Sequence, residues 1–486
     1  MPRQRLALAV IVSCQLLLGI DATIVNVALP GISAALRFAP AGLAWVLNAY
    51  TIAFAGLLML GGRLGDVLGR RRMFVTGVLV FTAASLAAAL AERPGWLLAA
   101  RALQGAGAAL ASPSTLALIT GTFAEGPERN RALGVSSAVI SGGASLGLVL
   151  GGVVTAAVSW RWVFLVNVPI GIVIALLALR RLPETERHAG RFDVPGALSV
   201  TAGMLGIVYG LIRAASAGWG DARVLAGMLG GAALLAAFVA IEARTAAPIV
   251  PLRLFRDRQR AAGYAALLLI GPSLIGPFFF LTTYLQQVRG LGPVPTGLAF
   301  LPMTAGLFAA ARFVPRLLAR FGHRLVIGCS LVTLVAAGLL LSRVRPASPY
   351  AAILGPLVLV GVGGGCSFVP LYSLILSRVT GREAGAASGV LQTTQWLGSS
   401  FGLAVMVAVA GASGSTDVLG RAFVAAAVLA GAALVLLMAV LRPTAATDSG
   451  DAKTHPDGRL RAGGRECPDS PGHPDEVEQP SASLGG

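Results

Sequence analysis

Fourteen apolar runs, each long enough to cross a membrane as a helix, constrain this chain more than any other feature. About 30 Å of hydrocarbon at 1.5 Å per residue takes about 20 residues. The runs span 6–28, 42–61, 73–91, 96–119, 133–157, 162–180, 194–213, 223–241, 261–286, 296–317, 324–342, 350–376, 385–410 and 420–441. Backbone groups in hydrocarbon have no water to bond, so such runs are expected as helices. Composition agrees: 12% of residues are charged and 56% hydrophobic, with a mean hydropathy of +0.78, whereas a soluble domain is about 25% charged. The expected fold class is an all-α polytopic membrane protein. The start, Met-Pro-Arg-Gln-Arg and then more than 20 apolar residues without a small-x-small cleavage pattern, reads as a first spanning helix and not a leader.

A formal charge of +17 would suggest a nucleic-acid partner in a soluble protein. Here most arginines fall between the runs or toward their ends and report orientation. The N-terminus and even-numbered connections carry 23 of them, among them Arg70, Arg71 and Arg72, and the odd-numbered connections carry 9. The positive-inside rule then puts both termini in the cytoplasm. Four cysteines without paired spacing, and no Cys/His cluster or Walker loop, give no ground for a disulfide framework, a metal or a nucleotide. Residues 443–486, with eight acids, four bases and no apolar run, read as a disordered cytoplasmic tail.

Against this apolar background Asp21 stands out as the only Asp or Glu inside a run. A charge at the bilayer centre costs about 2.5–3.5 kcal/mol on insertion scales, so such a carboxylate is expected to work. Arg101, inside the fourth run, is the matching base. Asp21 lies about 22 Å along its helix from the cytoplasmic start and Arg101 about 7 Å below the outer end of its own, so the depths are compatible. Asp21 and Arg101 are therefore the expected proton-coupling pair. The alternative is that Asp21 only hydrogen-bonds neighbouring helices.

The loops carry an internal repeat. Gly62-Arg63-Leu64-Gly65-Asp66-Val67-Leu68-Gly69-Arg70-Arg71 recurs, degraded, 253 residues later as Pro315-Arg316-Leu317-Leu318-Ala319-Arg320-Phe321-Gly322-His323-Arg324, and the same offset carries Arg129 onto Arg382. Two six-helix halves in parallel repeat follow, residues 1–181 and 261–442, with two inserted helices in 182–260. Parallel halves around a midplane site are a recurring secondary-transporter plan.

The stretch around Asp21, the Gly62–Arg72 loop and Arg101-Ala102-Leu103-Gln104-Gly105 resemble signatures of the major facilitator superfamily. The first, with fourteen helices, resembles its drug:proton antiporter branch, as do Ser159–Pro169 and Arg191–Gly196. The likeness runs from about residue 5 to 442. It implies a proton-driven exporter of hydrophobic or amphipathic small molecules, such as antibiotics, in a bacterial plasma membrane. The alternative is a facilitator or proton symporter for a metabolite. It further implies a monomer that is not an enzyme, a proton as coupling ion and no cofactor. Gly62, Asp66, Gly69 and Arg70 resemble a cytoplasmic gate; the arginines there also serve as topological anchors. Gly143, Gly147, Gly151 and Gly152 keep the branch's fifth-helix spacing, but Leu148 stands where the branch has proline. At four-residue spacing these glycines also form a face for close helix packing. Asn26, Trp45, Tyr50, Gln104, Asn167, Tyr284, Gln392, Gln395 and Trp396 are the candidate cavity residues, a mixture of polar and aromatic groups that suits an amphipathic ligand.

Overall fold

Apolar stretches with no water to bond close their own backbone hydrogen bonds, and every element that spans here is a helix. The computed structural model describes residues 2–39, 41–123, 127–182, 184, 193–245, 248, 250, 252–376, 384–411 and 417–441. The tail, and the loop arginines Arg129's repeat partner Arg382 and Arg378, lie outside them. Residues Met1–Thr444 form one compact unit.

The first seven helices are α1 (Pro2–Leu36), α2 (Trp45–Leu68), α3 (Arg70–Ala89), α4 (Pro94–Thr122), α5 (Pro127–Ala157), the short α6 (Trp162–Leu165) and α7 (Asn167–Arg181). Then come α8 (Val194–Ala217) and α9 (Ala222–Arg244). The remainder are α10 (Arg258–Thr283), α11 (Pro293–Ala299), α12 (Leu301–Leu341), α13 (Ala351–Leu376), α14 (Ala384–Gly411) and α15 (Val418–Val440). Among the described residues twelve helices are long and apolar enough to cross a membrane, against the fourteen runs expected. The difference has two sources. Runs 296–317 and 324–342 fall on one continuous stretch, Pro293–Leu341, which bends inside α12 at Gly322 (φ +71°). Run 133–157 lies in α5, whose described apolar part is the shorter Ser145–Ala157.

Helix starts are set chemically. Asp193, Asp221, Asp257 and Asp417 precede α8, α9, α10 and α15, and each side chain accepts backbone N–H bonds of the first turn. Such caps contribute about 1 kcal/mol each. α2 runs seven residues beyond its expected end, so Gly65 is helical and Gly69 alone makes the turn, with φ +106°. A Cβ at Gly65 would lie 3.0 Å from the Arg70 side chain, which folds back over the last turn of α2.

Packing sorts the helices. α1 packs on α4, α5 and α7, and α3 on α4 and α7. α10 packs on α13, α14 and α15, and α12 on α13 and α15. α8 and α9 pair with each other, and α8 alone reaches α2 and α14. Between the two groups α2 lies along α14, α5 meets α11 and α1 meets α10.

Candidate functional site

Asp21 (α1) and Arg101 (α4) meet in the interior, 0% and 1% exposed. One guanidinium nitrogen, Nη1, donates to Asp21 Oδ2 at 2.9 Å and to Gln104 Oε1 at 3.0 Å. Nε donates to the Val46 carbonyl on α2 at 3.0 Å, and the guanidinium lies 4.5 Å from the centre of the Tyr50 ring. Gln104 shares a helix face with Arg101 because it is three residues on. Its amide donates to Asp21 Oδ1 at 3.3 Å and to Ser85 Oγ on α3 at 2.7 Å. Ser85 in turn donates to the Phe81 carbonyl. Asn167, the first residue of α7, completes the cluster by donating to Asp21 Oδ1 at 2.9 Å.

Five helices thus converge on one carboxylate. Removing one partner of a buried ion pair costs about 3–5 kcal/mol because the other charge is left unpaired. Asn167 Oδ1 is buried without a hydrogen-bond partner, so this amide spends its donor on Asp21 and leaves its acceptor unused.

Tyr50, Gln104 and Asn167, expected as cavity residues, belong to the Asp21 cluster. Asn26, fully buried, donates to the Ala22 and Thr23 carbonyls of its own helix. Tyr284 lies in a π turn, Tyr284–Val288, that extends α10, and donates to the Arg345 carbonyl at 2.7 Å. Gln395 accepts from Tyr372 Oη, Trp396 meets the Phe54 ring edge-on at 5.1 Å, and Trp45 is half-buried at the start of α2. Gln392 is exposed on α14. Ser85 and the Val46 carbonyl were not legible as site members. Ser85 is a common residue in an apolar helix, and a carbonyl leaves no mark in sequence.

At the α2–α3 turn Asp66 pairs with Arg70. Arg71 donates to the Leu182 carbonyl at 3.1 Å, where α7 ends. A Cβ at Gly69 would lie 2.5 Å from Glu184, and Gly62 faces Pro113. The α5 glycines divide. Gly147 and Gly151 admit α1, since added Cβ atoms would lie 2.6 Å from the Ile20 carbonyl oxygen and 2.5 Å from that of Ile24. Gly143 is less crowded, with Leu16 at 3.4 Å. Gly152 faces the other way, where a Cβ would lie 2.7 Å from the Pro293 carbonyl oxygen. Leu148 is fully buried, and a Cβ at Gly297 of α11 would lie 2.5 Å from its carbonyl oxygen. Beside this contact Gln286 donates to the Val27 carbonyl at 2.9 Å.

Comparison with known proteins agrees with this architecture. The model of the Major Facilitator Superfamily matches residues 11–403. The cephamycin export protein CmcT of Amycolatopsis lactamdurans is 43% identical over 90% of this chain and 91% of its own length. The puromycin resistance protein pur8 of Streptomyces alboniger is 41% identical, covering 83% and 81%. The lincomycin resistance protein of Streptomyces lincolnensis is 37% identical, covering 81% and 82%. Among solved structures, the peptide transporter POT in complex with sulfate superposes with a TM-score of 0.66 at 14% identity, over 89% of this chain and 93% of that one. The xylose transporter XylE from E. coli gives 0.60 at 14% identity, over 91% and 98%.

Proposed function

This chain belongs to the Major Facilitator Superfamily, and we propose that its task there is to export antibiotic-like, amphipathic small molecules in exchange for protons. The observation that carries the proton step is the fully buried Asp21, held by Arg101, Gln104 and Asn167. The names of the relatives, which are export and resistance proteins for antibiotics, support the substrate class.

In this reading residues 1–181 and 261–442 rock against each other, residues 182–260 ride outside, and the chain acts as a monomer without cofactor or enzymatic step. Both termini are cytoplasmic and the membrane is a bacterial plasma membrane, following the arginine asymmetry. A proton delivered to Asp21 from outside removes the charge that Arg101 and the two amides hold. Reversing a two-state equilibrium from 1:99 to 99:1 takes about 5.5 kcal/mol. A buried ion pair made or broken is worth about 3–5 kcal/mol, so one proton supplies most of that shift. Release to the cytoplasm restores the pair and resets the cycle, with each charge gaining about 2.3 kcal/mol per 100 mV of membrane potential.

Asp21→Asn keeps the shape but cannot carry a proton. In a host stripped of its own pumps, this variant should reach wild-type levels in the membrane and lose export of cephamycin-, puromycin- or lincomycin-like compounds against a gradient. Uphill export together with substrate-dependent proton movement in Asp21→Asn would overturn the mechanism.

A further inference from the structure

Two grooves on the surface of the helical unit are copies of each other under the internal repeat. The first, about 450 Å³, opens beside the α2–α3 turn and is lined by Leu68, Arg71, Arg72, Val75 and Thr76, with Leu179 of α7 across from them. Met73 is the sixth α2–α3 residue of this lining; adding 253 to the other five positions gives Phe321, Arg324, Leu325, Gly328 and Cys329. Those residues line the second groove, about 680 Å³, which is closed across by Leu434 and Met438 of α15. The same offset carries Gly69 onto Gly322, the two positive-φ glycines that make the turns above the grooves.

The bracing is repeated as well. Arg71 donates to the Leu182 carbonyl at the end of α7, and Arg324 donates to the Met438 carbonyl near the end of α15. One arginine in each groove is thus spent on holding a helix end. The copies differ at the next position, where Arg72 stands in the first and Leu325 in the second. Arg72 is 61% exposed, and among the described residues its one carboxylate, Glu184, is 3.9 Å away and shared with Arg71 at 3.7 Å. Two guanidinium groups therefore share one carboxylate above walls of Leu68, Val75 and Leu179.

A site in a membrane-spanning protein with cationic groups at its mouth and aliphatic walls below matches one kind of occupant. We propose that the Arg72 groove binds an anionic phospholipid, its phosphate at Arg72 and an acyl chain along the exposed Leu68 and Leu179. The groove at Leu325 accepts acyl chain without preference for charge. A lipid phosphate is favoured over a soluble anion because the walls beside the arginines are aliphatic, with Leu68 and Leu179 exposed.

The test uses the full-length protein, released from nanodiscs holding equal phosphatidylglycerol and phosphatidylcholine and weighed by native mass spectrometry. Wild type should retain phosphatidylglycerol preferentially. Arg72→Leu, which copies the residue the repeat already tolerates at 325, should lower that preference about fivefold, the effect of roughly one surface cation near a membrane. Arg72→Lys should keep it. Leu325→Arg should add a second anionic lipid. Unchanged phosphatidylglycerol retention in Arg72→Leu, or displacement of the lipid by millimolar glycerol phosphate, would overturn the proposal.

Discussion

Gln104 uses each of its valences: its carbonyl accepts from Arg101, and its amide hydrogens go to Asp21 and Ser85. Replacing it with Leu of similar reach removes one bond each from Ser85, the acid and the base. Leaving buried polar groups unsatisfied costs about 1–3 kcal/mol each. Gln104→Leu should therefore lower the thermal midpoint in detergent by several degrees, and an unchanged midpoint would show that the cluster repacks around the loss. Arg101→Lys is not a conservative change, because one ammonium cannot reach the Val46 carbonyl, Asp21 and Gln104 in the fork that a guanidinium spans. At this scale the sequence was most informative about charges. Asp21 and Arg101 were legible because an apolar helix gives a charge nowhere else to go. Asn167 and Tyr50 were legible only as candidate cavity residues, since which side chain turns toward Asp21 depends on five helices meeting.

Helix ends carry a pH dependence that can be worked out. Asp221 caps α9, and Arg213 donates to both of its carboxylate oxygens at 3.1 Å. The hydrogen bond to Arg213 holds the Asp221 carboxyl down at about 2, below its ordinary 3.8. A depressed acid contributes stability that is fully present above its unfolded value and is lost as pH falls. This clamp should therefore be constant above about pH 4 and disappear between about pH 4 and 2. Asp221→Asn keeps a capping oxygen but removes the charge. Its thermal midpoint should fall below wild type at pH 7, and the gap should close by about pH 2; a gap independent of pH would assign the effect to the cap alone. In α5 the contacts are tighter than propensity reveals. Gly147→Leu would drive a side chain into the Ile20 carbonyl and Thr23, and correct insertion with wild-type transport would show that α1 and α5 can part at no cost. The spacing of these glycines announced close packing, but not which helix each one admits. The bend at Gly322 falls between the expected runs 296–317 and 324–342, but its direction was not legible, because a run of apolar residues records length and not direction.

At the scale of the whole molecule, two seams join the helix groups, and they differ in kind. The α2–α14 seam is a series of side-chain contacts: Ser400 donates to Asn48 Oδ1 at 2.7 Å, Trp396 meets Phe54, and Met59 lies against Gly389. The seam of α1 and α5 with α10 and α11 is backbone against backbone, where Gly297 meets the Leu148 carbonyl, Gly152 meets that of Pro293 and Gln286 bonds that of Val27. Side chains slide and repack, whereas a carbonyl facing a glycine has one close arrangement and otherwise must part. If the groups rock, the second seam is the one that opens on the side opposite the termini. Gly297→Leu would then exclude the sealed arrangement, because even a Cβ at 297 would lie 2.5 Å from the Leu148 oxygen. The equilibrium should move toward the open form by about tenfold for each 1.4 kcal/mol of clash. Asn26, fully buried and next to the seam residue Val27 on α1, reports the opening. A cysteine at position 26 should resist an impermeant maleimide in an otherwise wild-type chain, and react when Gly297→Leu is added, while transport slows. Gly231→Leu, in the peripheral α8–α9 pair where a Cβ would lie 2.7 Å from the Gly203 carbonyl oxygen, serves as the comparison for crowding alone. Equal labelling of position 26 in the Gly297→Leu and Gly231→Leu chains would mean that the α5–α11 contact is a fixed brace and that the groups move about some other line.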